Sequence, residues 1–335
     1  MFCECKWKDN VNFGVLDELK KKADFVEWNK QKRKDYFILF AKLFEQEFKK
    51  HSEENNILCV DLKYIEQFFK RMKTKDIKFF RQFFKAYANG FYSDNYPDNG
   101  TNNEIIPNLK LKEDHTYRVL RNIVHISKSL NLREEEINLA KAIALFHDIG
   151  RFEQLKHYKT FLDRNSESHS EIALRVLNKE GVINRIDEKE REILITAIKF
   201  HNVREIPEIS DEKTLFFCKL IRDADKIDIF KVWIDYFNHK SVYDPSYGMD
   251  LSISQGYSDN IISDIFANKM SPLEKVKTYN DIKLLLLTWI YDINFDASLN
   301  LILCRGYIQK IFKILPKNEE MKKVREHINL DTSQC

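Results

Sequence analysis

Glycine and proline are scarce in this 335-residue chain, with 8 and 6 residues respectively. Together they make about 4% against a usual ~12%. So few turn formers leave little room for hairpins and much for long, uninterrupted helices. Long apolar runs are missing too. The longest, Leu284 to Tyr291 with one Thr among them, falls far short of the ~20 residues needed to span a bilayer. The start, MFCECKWKDN, has no apolar segment behind a basic one, so the expectation is a cytoplasmic protein without membrane contact. Cysteine is sparse: six residues with no CxxC pair exclude a dense disulfide scaffold and predict reduced thiols. Nor is the charge one-sided. The 55 basic and 52 acidic residues leave +3, which by itself implies no polyanionic partner.

What is present suits a folded, helical protein. Hydrophobic residues are 43% and charged residues 32%, and the length allows one large domain or two ordinary ones without staples. From about Val15 to Tyr87 the sequence reads as amphipathic helices, with Phe25, Trp28, Tyr36, Phe40, Phe44 and Phe48 and then Phe69, Met72, Phe79, Phe80, Phe83 and Tyr87 near helical spacing. The stretch Ala88 to Asn108 is dense in Asn, Asp, Gly and Pro, the chemistry of turns. A boundary placed there predicts an N-terminal helical region of unknown role, 1–105, and a second domain, 106–335. Ser241 to Asn260 is also irregular and long enough for a lid, and a last helical block follows from roughly Pro272 to Leu315. No repeat of fixed period occurs. The expected fold class is all-α.

The chemistry gathers around ALFHDIGRFE, Ala144 to Glu153. An HD pair alone says little, since 9 His and 25 Asp produce one about 0.7 times by chance. Helical spacing says more. His115 falls in line with Val119, Ile123, Ile126 and Leu130, and the stripe Ile137, Ala140, Ala144 leads to His147, with Asp148 next to it. Likewise Leu194, Ala197 and Ile198 lead to His201, and Cys218 and Ile221 lead to Asp225. Four helices thus deliver an imidazole or carboxylate at the end of an apolar stripe, and such groups are costly to bury unless paired or bound to a cation. A metal is the common explanation. Gly150 is read as the stop of the helix bearing His147.

The order His115, His147 with Asp148, then Asp225 resembles the HD-domain metal-dependent phosphohydrolases. HTYRVLRN, ALFHDIGRFEQ, KTFLDRNSESHS, AIKFHN and IRDADKIDIF are similar to motifs of a bacterial HD subgroup with two further histidines, which would be His169 and His201. The likeness runs over roughly 110–320, through KTYNDIKLLLLTWIYDINFDASLNLIL. SESHSEIALRVL departs from the subgroup, which more usually has an acidic residue before the histidine and a Gly in the following helix. The resemblance implies an HD-domain helical bundle with additional N-terminal and C-terminal helices. It also implies two metals, with Asp148 between them, His115, His147 and Asp225 completing one site, and His169 and His201 holding the other.

Imidazole and carboxylate together suit Mn, Fe, Co, Ni or Zn better than Ca, and a water activated by such ions can attack phosphorus. The expected activity is hydrolysis of a phosphate ester or phosphodiester, with a small phosphorylated substrate such as a nucleotide. Asp148, Arg151 and Lys226 are the candidate catalytic residues. Arg151, just past the HD pair, could grip a phosphate with its planar fork, and Lys226 could place a second cation on the leaving side or pair with an acid such as Asp223. Two other readings stand beside this one. The first is an HD-fold di-iron oxygenase. The second is a nucleic-acid-binding or interaction module with a structural metal, suggested by KYIEQFFKRMKTKDIKFFRQFFK, Lys63 to Lys85, with 8 basic and 2 acidic residues among aromatics. Its competing explanation is an amphipathic helix pair with its Phe residues in the core. The oligomeric state is open.

Overall fold

The structure is a computed structural model that describes residues 2–5, 11–27, 34–54, 57–64, 77–92, 102–239, 245, 249 and 251–328. The chain divides into two compact units, Met1–Lys73 and Thr74–Cys335.

The first unit corrects the expectation of a helical N-terminus. It holds three strands, β1 (Phe2–Cys5), β2 (Phe37–Phe40) and β3 (Ile57–Val60), with α1 (Phe13–Asp24) and α2 (Gln46–Glu54) in the connections. The strands are parallel in the order β1-β2-β3, with Phe2 opposite Phe37 and Phe37 opposite Ile57. Phe37 and Leu39 point into a core with Leu16, Leu19, Phe44 and Phe48. The misreading has a physical origin: FILF and ILCV are apolar runs of four, too short for their period to separate strand from buried helix.

The second unit is helical among its described residues. It runs α3 (Ile77–Asn89), α4 (Asn102–Ser129), α5 (Glu134–Phe146), α6 (Gly150–Tyr158), α7 (His169–Lys179), α8 (Glu188–Lys199), α9 (Glu212–Phe237), α10 (Asp259–Phe266), α11 (Tyr279–Thr288), α12 (Asp296–Cys304), α13 (Tyr307–Ile314) and α14 (Glu319–His327). Every residue of α5 from Ile137 to Phe146 is buried except Lys141. A helix apolar on all sides belongs at the centre, and α5 packs against α3, α4, α8 and α9. The long helices α4 and α9 lie against each other beside it.

Helix α3 belongs to this unit, so the division falls at Lys73–Thr74 rather than near residue 105. The reason is packing: Phe80 and Phe84 are buried, Phe80 edge-on to Phe146 at 5.5 Å and Phe84 edge-on to Phe152 at 6.0 Å between ring centroids. Lys78, Arg81 and Lys85 remain exposed, so the described half of the basic-aromatic segment is an amphipathic helix with its Phe face in the core. Residues 65–76 of that segment lie outside the described residues, as do 93–101 of the expected boundary loop. Helix α4 begins at Asn102 and includes Pro107, where a loop was expected.

Much of the expected lid also lies outside the described residues. Among its described residues, Gln255 and Ser258 are tied to α11. The buried Asp281 accepts from the Ser258 N–H at 2.6 Å and the Ser258 hydroxyl at 2.9 Å, and the Asn280 amide donates to the Gln255 carbonyl at 2.8 Å. Cys59 and Cys218 are free thiols. Cys304 is disulfide-bonded, contrary to the expectation of reduced thiols throughout.

Because Phe84 bridges α3 to the α6 ring Phe152, Phe84→Ala is expected to destabilise the protein by about 3–5 kcal/mol, read from urea or guanidinium unfolding. A loss below about 1 kcal/mol would show that α3 is not part of this core.

Candidate metal centre

Helix α4 presents His115 at mid-length, with Lys112 one turn before it and Arg118 one turn after. His147 and Asp148 occupy the turn between α5 and α6, His169 opens α7, His201 follows α8, and Asp225 sits in the middle of α9. All four histidines are buried, as is Asp148, and Asp225 retains 15% side-chain exposure. The structure therefore brings together every metal ligand expected from the sequence.

The hydrogen bonds decide what the imidazoles can do. Each Nδ1 faces an acceptor: the Asp228 carboxylate for His115 at 2.7 Å, the Ala144 carbonyl for His147 at 2.8 Å, the Asp163 carboxylate for His169 at 2.8 Å, and the Ile198 carbonyl for His201 at 2.7 Å. Nδ1 must donate in each case, which leaves each Nε2 with a lone pair in the neutral ring. Those lone pairs point at oxygens that also carry lone pairs. His115 Nε2 lies 3.0 Å from Asp225 Oδ1 and 3.5 Å from Asp148 Oδ2; His147 Nε2 lies 3.8 and 3.9 Å from the same two oxygens. His169 and His201 Nε2 are 3.3 and 3.8 Å from Asp148 Oδ1 and 3.0 Å from each other. Among the described residues, His115 Nε2, His147 Nε2 and Asp225 Oδ1 have no hydrogen-bond partner.

With the rings neutral, buried acceptors facing acceptors need a proton or a metal cation between them. Two triads meet that description, His115, His147 and Asp148 on one side and Asp148, His169 and His201 on the other, each with ligand atoms within 4.8 Å of one another. They share Asp148, one oxygen toward each. Imidazole with carboxylate is a donor set for divalent transition metals.

Burial works against the charged form of Asp148, but Lys112, whose ammonium is 2.8 Å away, together with His147 and Arg151, holds the carboxyl well below the usual range. Asp225 is likewise held low against burial by His115 and His147. Burial and Arg151 push His169 down to about 3 against the pull of Asp163. His115 moves the other way: burial and Lys112 lower it, while Asp225 and Asp228 outweigh them.

Four supporting residues were not singled out from the sequence. Asp228 orients His115 and is itself gripped by Arg118, whose Nε and Nη2 donate at 2.7 and 3.0 Å. Asp163 orients His169 and accepts from Gln154 at 2.8 Å. Lys112 neutralises Asp148. Spacing could have found three of them, since Lys112, His115 and Arg118 share a helix face three residues apart, as do Asp225 and Asp228. Asp163 had no such signal, because it reaches His169 across a short loop.

Gly150 does not stop the helix but begins α6. A Cβ there would lie 2.1 Å from the His169 carbonyl oxygen and 2.7 Å from the Ala173 nitrogen, so only glycine lets α6 cross the start of α7 this closely. Arg151 is then in the first turn of α6, its Nη1 donating to Gln154 and to the Phe161 carbonyl, both at 2.6 Å, with Nε 3.4 Å from Asp148. Lys226 lines the same cavity, of about 520 Å³, but its ammonium is bonded to the Asp292 carboxylate and carbonyl. Its partner is Asp292 and not Asp223, which accepts instead from the backbone of Asn294 and Phe295.

Residues 113–229 match the family model for the HD domain. The match runs from α4 to α9 and contains all six candidate ligands. No curated protein and no solved structure matches the chain. HD domains form a superfamily of metal-dependent hydrolases, and the His and Asp cluster is compatible with an HD metal site.

Gly150→Ala is expected to force α7 away from α6, lowering stability by about 1–3 kcal/mol and weakening metal binding through His169. Calorimetric titration of a divalent metal checks this, and wild-type affinity in the variant would refute it. With metal chelated, His115 adds stability below pH 6.5 that fades as pH rises through its raised pKa, while His169 adds stability above 6.5 that fades as pH falls toward about 3. The contribution of this pair is thus greatest near pH 6.5. Melting the chelated protein between about pH 4 and 9, with and without His115→Ala and His169→Ala, reads each branch separately.

Proposed function

We propose that this HD domain hydrolyses a phosphate ester or phosphodiester with the help of two divalent transition-metal ions. The observation that carries the reading is the convergence of four Nε2 lone pairs on the two oxygens of Asp148. His115, His147 and Asp225 would hold one ion and His169 and His201 the other, with Asp148 between. Ions bound there supply Lewis acidity toward phosphoryl oxygens and acidify water.

The rest of the work falls to the chain. Asp228, Asp163 and the carbonyls of Ala144 and Ile198 keep each imidazole in one tautomer and orientation. Lys112 is paired with Asp148, and Arg151, with its Nε 3.4 Å from the same carboxylate, adds a cation where a phosphoryl dianion would need compensation. The Phe161 ring lies 5.3 Å from the Lys112 ammonium and 5.9 Å from the Arg151 guanidinium, a cation–π contact for each. The Arg151 guanidinium beside the metals favours an anionic substrate over dioxygen.

Metal analysis of the purified protein, paired with phosphate release under Mn²⁺, Co²⁺ and Ni²⁺, tests the reading. About two ions per chain are expected, with release falling by about a thousandfold or more in Asp148→Ala. Arg151→Ala is expected to lower kcat/KM by about 10- to 100-fold. Two irons, oxygen uptake and no phosphate release from any ester would establish the oxygenase instead.

A further inference from the structure

Beyond the carboxylates the cavity changes character. On α9 the residues lining it are Asp225, Lys226, Ile229, Val232 and Trp233, which follow one helix face at i, i+1, i+4, i+7 and i+8. With the Lys226 ammonium tied to Asp292, this wall starts at a metal ligand and becomes apolar within one turn. At 1.5 Å per residue, Trp233 stands about 12 Å along the axis from Asp225. The facing wall comes from α11 and the residue after it: Ile282, Leu285, Leu286 and Trp289. Of the polar residues that also line the cavity, Ser271 is committed elsewhere, its N–H donating to Thr288 at 3.1 Å and its hydroxyl to Asp264 at 2.7 Å, while Glu274 is exposed.

We propose that the alcohol released at this site is apolar: an alkyl or fused-ring group reaching along α9 toward Trp233, in place of a sugar or nucleoside. The inference rests on the reading of the metal centre as a phosphohydrolase and adds the substrate class to it. Against Ile229, Val232, Trp233, Ile282, Leu285 and Leu286, ribose or sugar hydroxyls and the edge of a base would leave water without gaining partners, whereas methylene groups gain from every contact. In the reaction water supplies the new oxygen on phosphorus, the bond from phosphorus to the ester oxygen breaks, and the departing alkoxide takes up a proton to leave as the alcohol. The cations at the metal end and the apolar walls beyond it match the two halves of an amphiphilic phosphate ester.

A series of alkyl phosphates from ethyl to octyl, with glycerol phosphate and a nucleoside monophosphate for comparison, tests this on the full-length, metal-loaded protein. Chain lengthening barely changes the intrinsic reactivity of these esters, so a trend in kcat/KM reports contact with the walls. About a threefold rise per methylene is expected until the walls are covered, with octyl phosphate well ahead of glycerol phosphate. Ile229→Asn and Trp233→Ala should each flatten that slope, two variants guarding against one that fails to fold. Binding of the non-hydrolysable alkylphosphonates, followed by calorimetry, gives a second readout independent of turnover. A flat or falling series with faster cleavage of glycerol phosphate or the nucleotide would overturn the inference while leaving phosphohydrolysis intact. Chain-length-dependent phosphonate binding without release from any ester would support the apolar site and remove the hydrolase reading. Neither binding nor release would overturn both.

Discussion

Four imidazoles lose the freedom to choose their tautomer, and the rest of the candidate metal centre depends on that loss. Each Nδ1–H is committed to a carbonyl or carboxylate at 2.7–2.8 Å, so each Nε2 is an acceptor aimed at other acceptors. Without a cation, lone pairs face lone pairs in a buried space; with one the arrangement becomes a set of pre-oriented ligands. Two of the orienting groups are helix carbonyls three residues before the histidine, Ala144 for His147 and Ile198 for His201. These two ligands are therefore held by the way their own helices end, while His115 and His169 depend on carboxylates from other segments.

The surrounding packing serves that geometry. Helix α5, rich in alanine and buried almost all round, brings the HD turn to the centre of the unit, and Gly150 lets α6 lie directly on the first turn of α7. Helix α9 ties the layers together. One part of it provides Asp225 and Asp228 to the centre. Another part, Arg222 with Lys226, grips Asp292 beyond α11, and Arg222 also donates to the carbonyl of Arg204 at 3.2 Å in the stretch after His201. The C-terminal helices are thereby linked to the segment that carries a candidate metal ligand, and they build the apolar wall of the same cavity.

Most of the ligand set was legible because it follows helical spacing. His115, His147, His201 and Asp225 each close an apolar stripe, and a polar group there stands out against its neighbours. Lys112, Arg118 and Asp228 obey the same three-residue spacing but look like ordinary charges on an exposed face until their partners are known. Lys226 shows the limit of such reasoning. Its place beside a ligand suggested a substrate contact, yet its charge is consumed by Asp292, 66 residues away. In the N-terminal unit, aromatic spacing suggested helices where four-residue strands form, because a run that short carries no period.

The sequence by itself determined the helical character of the main unit, through few glycines and prolines and through apolar stripes of period 3.6, and it determined which histidines and aspartates could ligate a metal. Only the tertiary structure decided that they meet. It also decided which oxygen of Asp148 faces which triad, that Gly150 serves a close crossing and not a helix stop, and that one end of the cavity is apolar. The physical reason is that spacing along a helix sets the direction of a side chain relative to its own axis. The partner it reaches depends on where a second helix lies, and that follows from how all the cores close at once.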